Sequence, residues 1–266
     1  MIRVLFLGDI VGRAARHEVI KQVPILREEL ALDFLVANCE NAAGGFGVTP
    51  KICEALFDVG VDVLTTGNHV WDKPEIIPYI ETQPRLLRPL NMPEATPGRG
   101  VVTHTNEAGK RLTVVNVMTN LFMAINDPVF TALDGSLVRH KLGRDADFIL
   151  VDAHGEATSE KMALGHMVDG RASMLVGTHT HVPTADQRIL PGGTAYQTDT
   201  GMCGDYDSVI GMNKEAATDR FIGRGKSRLS VALGAVTICG LLVEADNTGI
   251  AQSVLPLRRG GELASA

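Results

Sequence analysis

Short apolar runs alternate with longer runs of helical periodicity over the first 70 residues of the chain. Residues 3–7, 33–38 and 61–66 are short, β-rich apolar runs, and apolar residues recur at helical spacing from residue 14 to residue 30. Thr49-Pro50 supplies an N-cap and a first-turn proline for a second helix. This order of strand, helix, strand, helix and strand predicts a parallel βαβαβ unit with right-handed crossovers.

The rest of the chain continues as α/β and becomes more β-rich towards its C-terminal end. Further strand candidates are residues 111–117, 148–152, 172–176, 193–197 and 229–243. A helix is predicted over residues 156–168, whereas residues 84–100 are rich in proline and are predicted to be irregular. We expect the last two strand candidates to pair antiparallel. The pattern therefore predicts one α/β domain over residues 1–266, with a parallel start and an antiparallel C-terminal part.

Composition narrows the class of protein and its location. The chain is 45% hydrophobic and 21% charged, as in ordinary globular proteins, and its net charge of −6 makes long nucleic acid an unexpected partner. The N-terminal apolar run is too short for a signal peptide, and no run of 18 apolar residues predicts a membrane span. The four cysteines form no CxxC pair and fit a reducing compartment; they are Cys39, Cys53, Cys203 and Cys239. We expect a cytoplasmic location.

Polar and imidazole side chains follow the strand candidates at the point where each strand ends. They are Asp9 after the first strand, Glu40 and Asn41 after the second, Asn68 and His69 after the third, His154 after a later strand, and His179 and His181 after the next. In parallel α/β sheets, ligands bind at the carboxyl ends of the strands. We therefore expect these residues, which are far apart in sequence, to converge on one edge of the sheet.

The residue types suit a site for two metal ions. Carboxylate, amide and imidazole ligands together favour manganese, iron or zinc over calcium. Two ions about 3.5–4 Å apart can clamp both oxygens of an in-line displacement, and Glu40 could bridge them. Each residue alone has a structural explanation: Asp9 as a cap, Asn68 as a turn residue beside Gly67, and His154 as a core or surface histidine. Their joint placement at successive strand ends favours a shared site.

Several motifs resemble those of calcineurin-like metallophosphoesterases. Gly67-Asn68-His69 resembles the GNH motif, and residues 177–181 resemble the GHxH-type motif with Thr178 in place of its first histidine. The chain is more similar still to the YmdB-type branch, a bacterial family assigned to cyclic-nucleotide phosphodiesterase activity. The matching phrases are GDIVG at residues 8–12, NCENAAGG at 38–45, TGNHVWD at 66–72 and TDTGM at 198–202. The resemblance implies the calcineurin-like metallophosphoesterase fold, with layered β-sheets flanked by helices.

The resemblance also implies two sets of metal ligands. The family usually opens with Asp-x-His and bridges its metals with Asp, but this chain has Val11 and Glu40 at these positions. Asn41 would replace the missing histidine, although it could instead hold substrate or support the loop. One ion would then bind Asp9, Glu40, Asn41 and His181, and the other would bind Glu40, Asn68, His154 and His179. The ions would be divalent or of mixed valence, with iron or manganese favoured and zinc as an alternative.

His69 resembles the catalytic histidine of the family. It would stabilise the developing charge and donate a proton to the leaving oxygen, with a metal-bound hydroxide as the nucleophile. The expected function is hydrolysis of a small phosphodiester, with a 2′,3′- or 3′,5′-cyclic nucleotide as the substrate that the resemblance implies. Two alternatives stay open: a phosphomonoesterase acting on nucleotides, and a slow regulatory protein that binds metal or nucleotide. The sequence also leaves the oligomeric state open, a homo-oligomer included.

Overall fold

The computed structural model describes residues 1–124, 126–225 and 228–266. The first part contains β1 (Ile2–Leu7), β2 (Asp9–Ile10), α1 (Gly12–Glu29), β3 (Phe34–Asn38), α2 (Pro50–Asp58), β4 (Val63–Thr65), α3 (Ile76–Thr82), β5 (Val101–Thr105) and β6 (Arg111–Met118). It continues with α4 (Val129–Arg139), β7 (Phe148–His154), α5 (Thr158–Val168), β8 (Met174–Thr178), β9 (Arg188–Ile189), β10 (Ala195–Gln197), β11 (Met202–Asp205), α6 (Lys214–Phe221), β12 (Val236–Ala245) and β13 (Ala251–Arg259).

The first sheet is built around the predicted parallel unit. Its strands follow the order β2-β11-β12-β1-β3-β4, and β13 pairs with β12. The parallel pairing of β1 with β3 and of β3 with β4 confirms the βαβαβ start. The long strand β12 lies antiparallel between β1 and β13, as expected for the C-terminal part. Five of the six residues of β1 are buried, which explains why it appears in the sequence as a continuous apolar run.

The second sheet has the order β5-β6-β7-β8-β10-β9, and β6, β7 and β8 run parallel. The antiparallel prediction for residues 193–197 is wrong in part, because β10 pairs parallel with β8 and antiparallel only with β9. An apolar run carries no information on strand direction. Here direction is set by the turn after β9, which reverses the chain and brings β10 alongside β8.

The strand predicted over residues 229–243 begins later than expected, at Val236. Among the described residues just before it, Val231 forms only an isolated bridge with Met212. The side chain of Val231 lies directly against the backbone of Gly12 and Gly45, where a Cβ atom would approach it to 2.5 and 2.7 Å. This segment therefore covers the loops after β2 and β3 instead of extending the sheet.

The helices show both successes and omissions of the sequence pattern. The predicted helices correspond to α1, α2 and α5, and residues 84–100 form turns and bridges as expected. The helices α3, α4 and α6 and the strand β5 are among the elements that the pattern does not predict. The pattern of α4 was available in the sequence, because Val129, Leu133 and Leu137 recur every four residues and are buried. Within the described ranges, none of the helices combines the length and apolar character that crossing a bilayer requires.

The two sheets pack face to face, and helices cover their outer faces. Phe6 of β1 and Leu150 of β7 belong to one buried cluster between the sheets. The alternate residue Leu5 points to the opposite face, where it packs in a cluster with residues of α1 and α2. A third cluster joins the second sheet to α4 and α5. This arrangement confirms the layered α/β architecture and places the carboxyl ends of β1, β3, β4, β7 and β8 along one edge.

Candidate metal centre

The predicted ligands meet where the two sheets share this edge. Asp9 follows β1, Glu40 and Asn41 follow β3, Asn68 follows β4, His154 ends β7, and His179 and His181 follow β8. The convergence joins distant parts of the chain, since the backbone N–H of His179 donates to Oδ2 of Asp9 at 3.1 Å, 170 positions away. Asp9, Glu40, Asn41 and His154 are all almost fully buried. Burial of this many polar groups at one point calls for compensating contacts.

His154 lies at the centre of one group of candidate ligands. Its Nε2 is 3.1 Å from Oε1 of Glu40, 3.0 Å from Oδ1 of Asn68 and 3.1 Å from Nδ1 of His179. Ligand atoms of Glu40, His154 and His179 all lie within 4.8 Å of one another. These four residues are the set that the resemblance implies for one of the two ions. A single cation could contact all of them with small side-chain movements.

The other implied set surrounds Asp9. Oδ1 of Asp9 lies 4.0 Å from Nε2 of His181, and Nδ2 of Asn41 lies 3.0 Å from the same nitrogen. Within the described residues, the buried Oδ1 atoms of Asp9 and Asn41 have no hydrogen-bond partner. A buried carboxylate oxygen without a partner is costly, and a bound cation would satisfy it. The donor atoms present therefore fit a metal ion.

The electrostatics of the cluster also favour a cation. Burial acts to raise the pKa of Glu40, but the charge and hydrogen bond of His154 outweigh it and lower that pKa to about 2. Burial acts to lower the pKa of His154, but Glu40 above all raises it to about 9. Burial and the neighbouring His154 lower the pKa of His179 to about 3. A metal ion would take the place of the proton on His154, because ligation uses the neutral imidazole.

A buried carboxylate that the sequence analysis missed orients His154. Oγ1 of Thr178 donates to Oδ1 of Asp152 at 2.7 Å and lies 2.9 Å from Nδ1 of His154. The other Asp152 oxygen accepts from Thr65 at 2.5 Å and from Asn38 at 3.2 Å. Burial raises the pKa of Asp152 to about 6. Because Thr178 donates to Asp152, Nδ1 of His154 is the protonated nitrogen and Nε2 is free to ligate.

A buried ion pair holds the segment that carries the other two histidines. His179 and His181 have φ angles of 97° and 65°, a backbone region that non-glycine residues rarely adopt. Oδ2 of Asp199 accepts from the backbone N–H of Thr180 at 3.1 Å and from its hydroxyl at 2.8 Å. Nζ of Lys161 on α5 lies 3.0 Å from the same oxygen, and Lys161 is fully buried. These contacts offset the backbone strain.

Gly67 shows why a glycine precedes Asn68. A Cβ atom at this position would lie 2.2 Å from Nε2 of His154 and 2.5 Å from Oε2 of Glu40. Any larger residue would therefore occupy space between the candidate ligands. The glycine of the Gly-Asn-His motif thus has a packing cause in this structure.

His69 lies at the rim of the cluster rather than within it. Its Nδ1 is 2.8 Å from Oδ2 of Asp72, and its backbone N–H donates to Oε2 of Glu40 at 3.1 Å. Its ring makes a T-shaped contact with that of Phe46, with the ring centroids 5.0 Å apart. The contact with Asp72 leaves Nε2 of His69 as the nitrogen available to a substrate.

The cluster opens into a cleft of about 280 Å³. The cleft is lined by Glu40, Asn41, Gly45, Phe46, His69, Glu156, His179, Thr180, His181, Ile210 and Met212. Candidate ligands form its floor, while Phe46, Ile210 and Met212 give it an apolar wall. This combination can hold a small anionic group against the floor and an apolar ring against the wall.

Known proteins resemble this chain in sequence and in fold. Residues 5–257 match the family described as YmdB-like protein. A Bacillus subtilis protein named 2′,3′-cyclic-nucleotide 2′-phosphodiesterase is 45% identical over 246 residues, which cover 92% of this chain and 92% of that protein. A crystal structure described as a novel phosphatase, from Mycoplasma pneumoniae, superposes with a TM-score of 0.89 at 31% identity, covering 97% of this chain and 93% of the other.

A more distant structure supports the fold alone. The 5′-nucleotidase precursor of Thermus thermophilus has a TM-score of 0.56 at 12% identity, covering 99% of this chain and 54% of its own. The two facing sheets with outer helices are thus the metallophosphoesterase fold. The match over residues 5–257 and the relative at 45% identity show that the chain belongs to the YmdB-like family.

Proposed function

We propose that this protein is a metal-dependent phosphodiesterase that hydrolyses small phosphodiesters, among them 2′,3′-cyclic nucleotides. The observation that carries the proposal is the convergence of buried carboxylate, amide and imidazole groups at one cleft, with unpartnered oxygens on Asp9 and Asn41. The name of the Bacillus subtilis relative supports the substrate class. The small cleft and the net charge of −6 favour a small ester over long nucleic acid.

The proposed centre holds two metal ions. Glu40 would be shared between them; Asp9, Asn41 and His181 would complete one site, and Asn68, His154 and His179 the other. Iron or manganese suits this mixed set of oxygen and nitrogen ligands, and zinc is the alternative. Ions bound there would polarise the phosphoryl oxygens and lower the pKa of water towards neutrality, which is the chemistry that hydrolysis of an ester needs.

His69 is proposed as the proton donor. Hydrolysis adds water to phosphorus and breaks one ester P–O bond, so the leaving oxygen must gain a proton. Nδ1 of His69 lies 2.8 Å from Oδ2 of Asp72, and this contact holds the ring and leaves Nε2 for the leaving group. The Nε2 proton can then pass to the leaving oxygen, and assistance of this kind contributes about 10²–10⁴ in rate.

The test is a substrate panel on metal-replete protein and on the same protein after chelation. The panel contains 2′,3′-cyclic AMP, 3′,5′-cyclic AMP and 5′-AMP. We expect hydrolysis of cyclic diesters that disappears with the metal and returns when Mn²⁺ or Fe²⁺ is restored. Fast release of phosphate from 5′-AMP with inert diesters would instead favour a phosphomonoesterase. Absence of metal-dependent turnover on the whole panel would favour a regulatory binding protein.

A further inference from the structure

The cleft has an unusual charge pattern for a site that receives phosphate. Among the described residues that line it there is no lysine or arginine. Its second carboxylate, after Glu40, belongs to Glu156. Sites that hold a doubly charged phosphate commonly use arginine forks or lysine to neutralise the outer oxygens. The positive charge of this cleft therefore has to come from its floor, while Glu156 places negative charge on its wall.

Glu156 lies where its negative charge can act on a ligand bound at the floor of the cleft. It lies two residues after His154, in the turn that leads from β7 to α5, and its side chain is 55% exposed. Its Oε2 lies 3.4 Å from Nε2 of His179, whose Nδ1 is 3.1 Å from Nε2 of His154. Within the described part of the chain, no lysine or arginine pairs with Glu156. Its charge is therefore not neutralised by a paired lysine or arginine.

We propose that Glu156 determines specificity in this cleft by favouring singly charged phosphodiesters over doubly charged phosphomonoesters. The inference rests on the proposed function, because it assumes that phosphate esters bind at the floor. A diester carries one negative charge, whereas a monoester carries close to two at neutral pH and above. Repulsion by Glu156 grows with the charge of the ligand, so a monoester meets one additional unit of repulsion.

The same charge helps the product to leave. Hydrolysis of a diester breaks one P–O bond and leaves a monoester, so the ligand becomes more negative while it is bound. Glu156 then repels the product more strongly than it repelled the substrate. A unit charge about 6 Å away, at an effective dielectric constant of about 40, changes a binding constant about tenfold. We expect weak inhibition by monoester product in the wild-type protein and stronger inhibition once the charge is removed.

The test compares E156Q with E107Q, and E156D serves as the conservative variant. The glutamine side chain of E156Q keeps an acceptor for Nε2 of His179 and removes only the charge, while Glu107 is an exposed carboxylate that lines a separate pocket. On metal-replete proteins at pH 8, we measure kcat/KM for bis-p-nitrophenyl phosphate and p-nitrophenyl phosphate, and the inhibition constant of 3′-AMP. E156Q should lower the diester-to-monoester ratio of kcat/KM about tenfold, and it should lower the inhibition constant of 3′-AMP about tenfold. E107Q and E156D should keep the wild-type values.

Two further readouts separate charge from structure. Rising salt should narrow the difference in diester preference between the wild-type protein and E156Q, because salt screens the charge of Glu156. Metal content should be equal in both proteins. An unchanged ratio and an unchanged 3′-AMP constant in E156Q would overturn the inference, as would loss of metal from that variant.

The inference can also fail separately from the proposed function. If the wild-type protein hydrolyses neither ester, the proposed function fails, and calorimetry with inorganic phosphate and dimethyl phosphate then tests Glu156 alone. Stronger binding of inorganic phosphate to E156Q, with dimethyl phosphate unchanged, would still support the inference. Equal binding of both ligands to E156Q and to the wild-type protein would contradict it.

Discussion

The two sheets contribute different kinds of ligand to the candidate metal centre. The candidate oxygen ligands follow strands of the first sheet, and the candidate imidazole ligands follow or end strands of the second sheet. The sets are Asp9, Glu40, Asn41 and Asn68 on one side, and His154, His179 and His181 on the other. The candidate centre therefore lies where the sheets meet, and anything that shifts one sheet against the other should affect both proposed sites.

The two sides are also held in different ways. Asn41 is fixed by backbone contacts, since its carbonyl accepts from the N–H groups of Gly12 at 2.9 Å and Gly45 at 3.1 Å. On the histidine side, the candidate ligands are held by buried charged side chains that are not themselves candidate ligands. These are Asp152, which contacts His154 through Thr178, and the Lys161–Asp199 pair. Substitution of a side chain cannot remove a backbone contact, whereas it removes a buried charge completely. We therefore expect the histidine side to be the more sensitive to mutation.

The largest expected effect concerns a residue that belongs to neither ligand set. His69→Ala should lower kcat by about 10²–10⁴ and leave the metal content unchanged, because it removes the proposed proton donor but no proposed ligand. Steady-state kinetics on a cyclic diester and metal analysis of the same preparation check both parts. His104→Ala is the matched control, since His104 lines a separate pocket. An unchanged kcat in metal-replete His69→Ala would remove His69 from the mechanism.

The next largest effect is expected from a substitution that breaks the buried ion pair on the histidine side. Lys161→Met should lower the free energy of unfolding by about 3–5 kcal/mol, because it leaves the Asp199 carboxylate buried without its cation. Chemical denaturation measures the change. Lys161→Met combined with Asp199→Asn should cost less than the two single changes added together. Lys214→Met removes an exposed lysine paired with Asp207 and should change stability little. If Lys161→Met lowered the free energy of unfolding as little as Lys214→Met does, the pair would not hold this segment.

A smaller effect, on metal affinity, is expected from substitution of Asp152, whose carboxylate contacts His154 through Thr178. Asp152→Asn should weaken metal affinity about 10–100-fold, because it disturbs the contact through Thr178 that fixes the tautomer of His154. Titration of the metal-free protein with Mn²⁺ measures the affinity. Asp62→Asn is the control: Asp62 is a partly buried carboxylate paired with Arg27 at 2.8 Å, away from the cleft. We expect this control to lower stability without changing metal affinity, and equal affinities in both variants would contradict the role of Asp152.

The contrast between the two sides also explains how much the sequence predicts. The strands that carry the candidate ligands are buried on both faces, so β1, β3, β7 and β8 appear as apolar runs. Polar residues appear at or near the carboxyl ends of these runs, and the direction of parallel strands then places them at one edge. This is why the convergence of the predicted ligands could be expected from sequence. Their role as ligands stays a prediction.

The supporting residues could not be found in this way. Lys161 is the fourth residue of α5, and nothing in its local pattern indicates that the ammonium group reaches Asp199 and the carbonyl of Thr178. Asp152 offered a weak signal, because it stands two residues before His154 on a strand and therefore points to the same side. Glu156 resembles any polar residue in a turn. These roles depend on packing between elements, which the pattern along the chain does not contain.

The smallest effect tests whether the oxygen side depends on its helix. Thr49 caps α2, which follows the loop of Glu40 and Asn41, and its hydroxyl accepts from the N–H of Ile52 at 3.4 Å. Thr49→Ala should lower the free energy of unfolding by about 1 kcal/mol and leave metal affinity unchanged, because backbone contacts hold the loop. Asn213→Ala removes the corresponding cap of α6 and is the matched control. A loss of metal affinity in Thr49→Ala alone would show that the oxygen ligands depend on α2, and would remove the distinction drawn between the two sides.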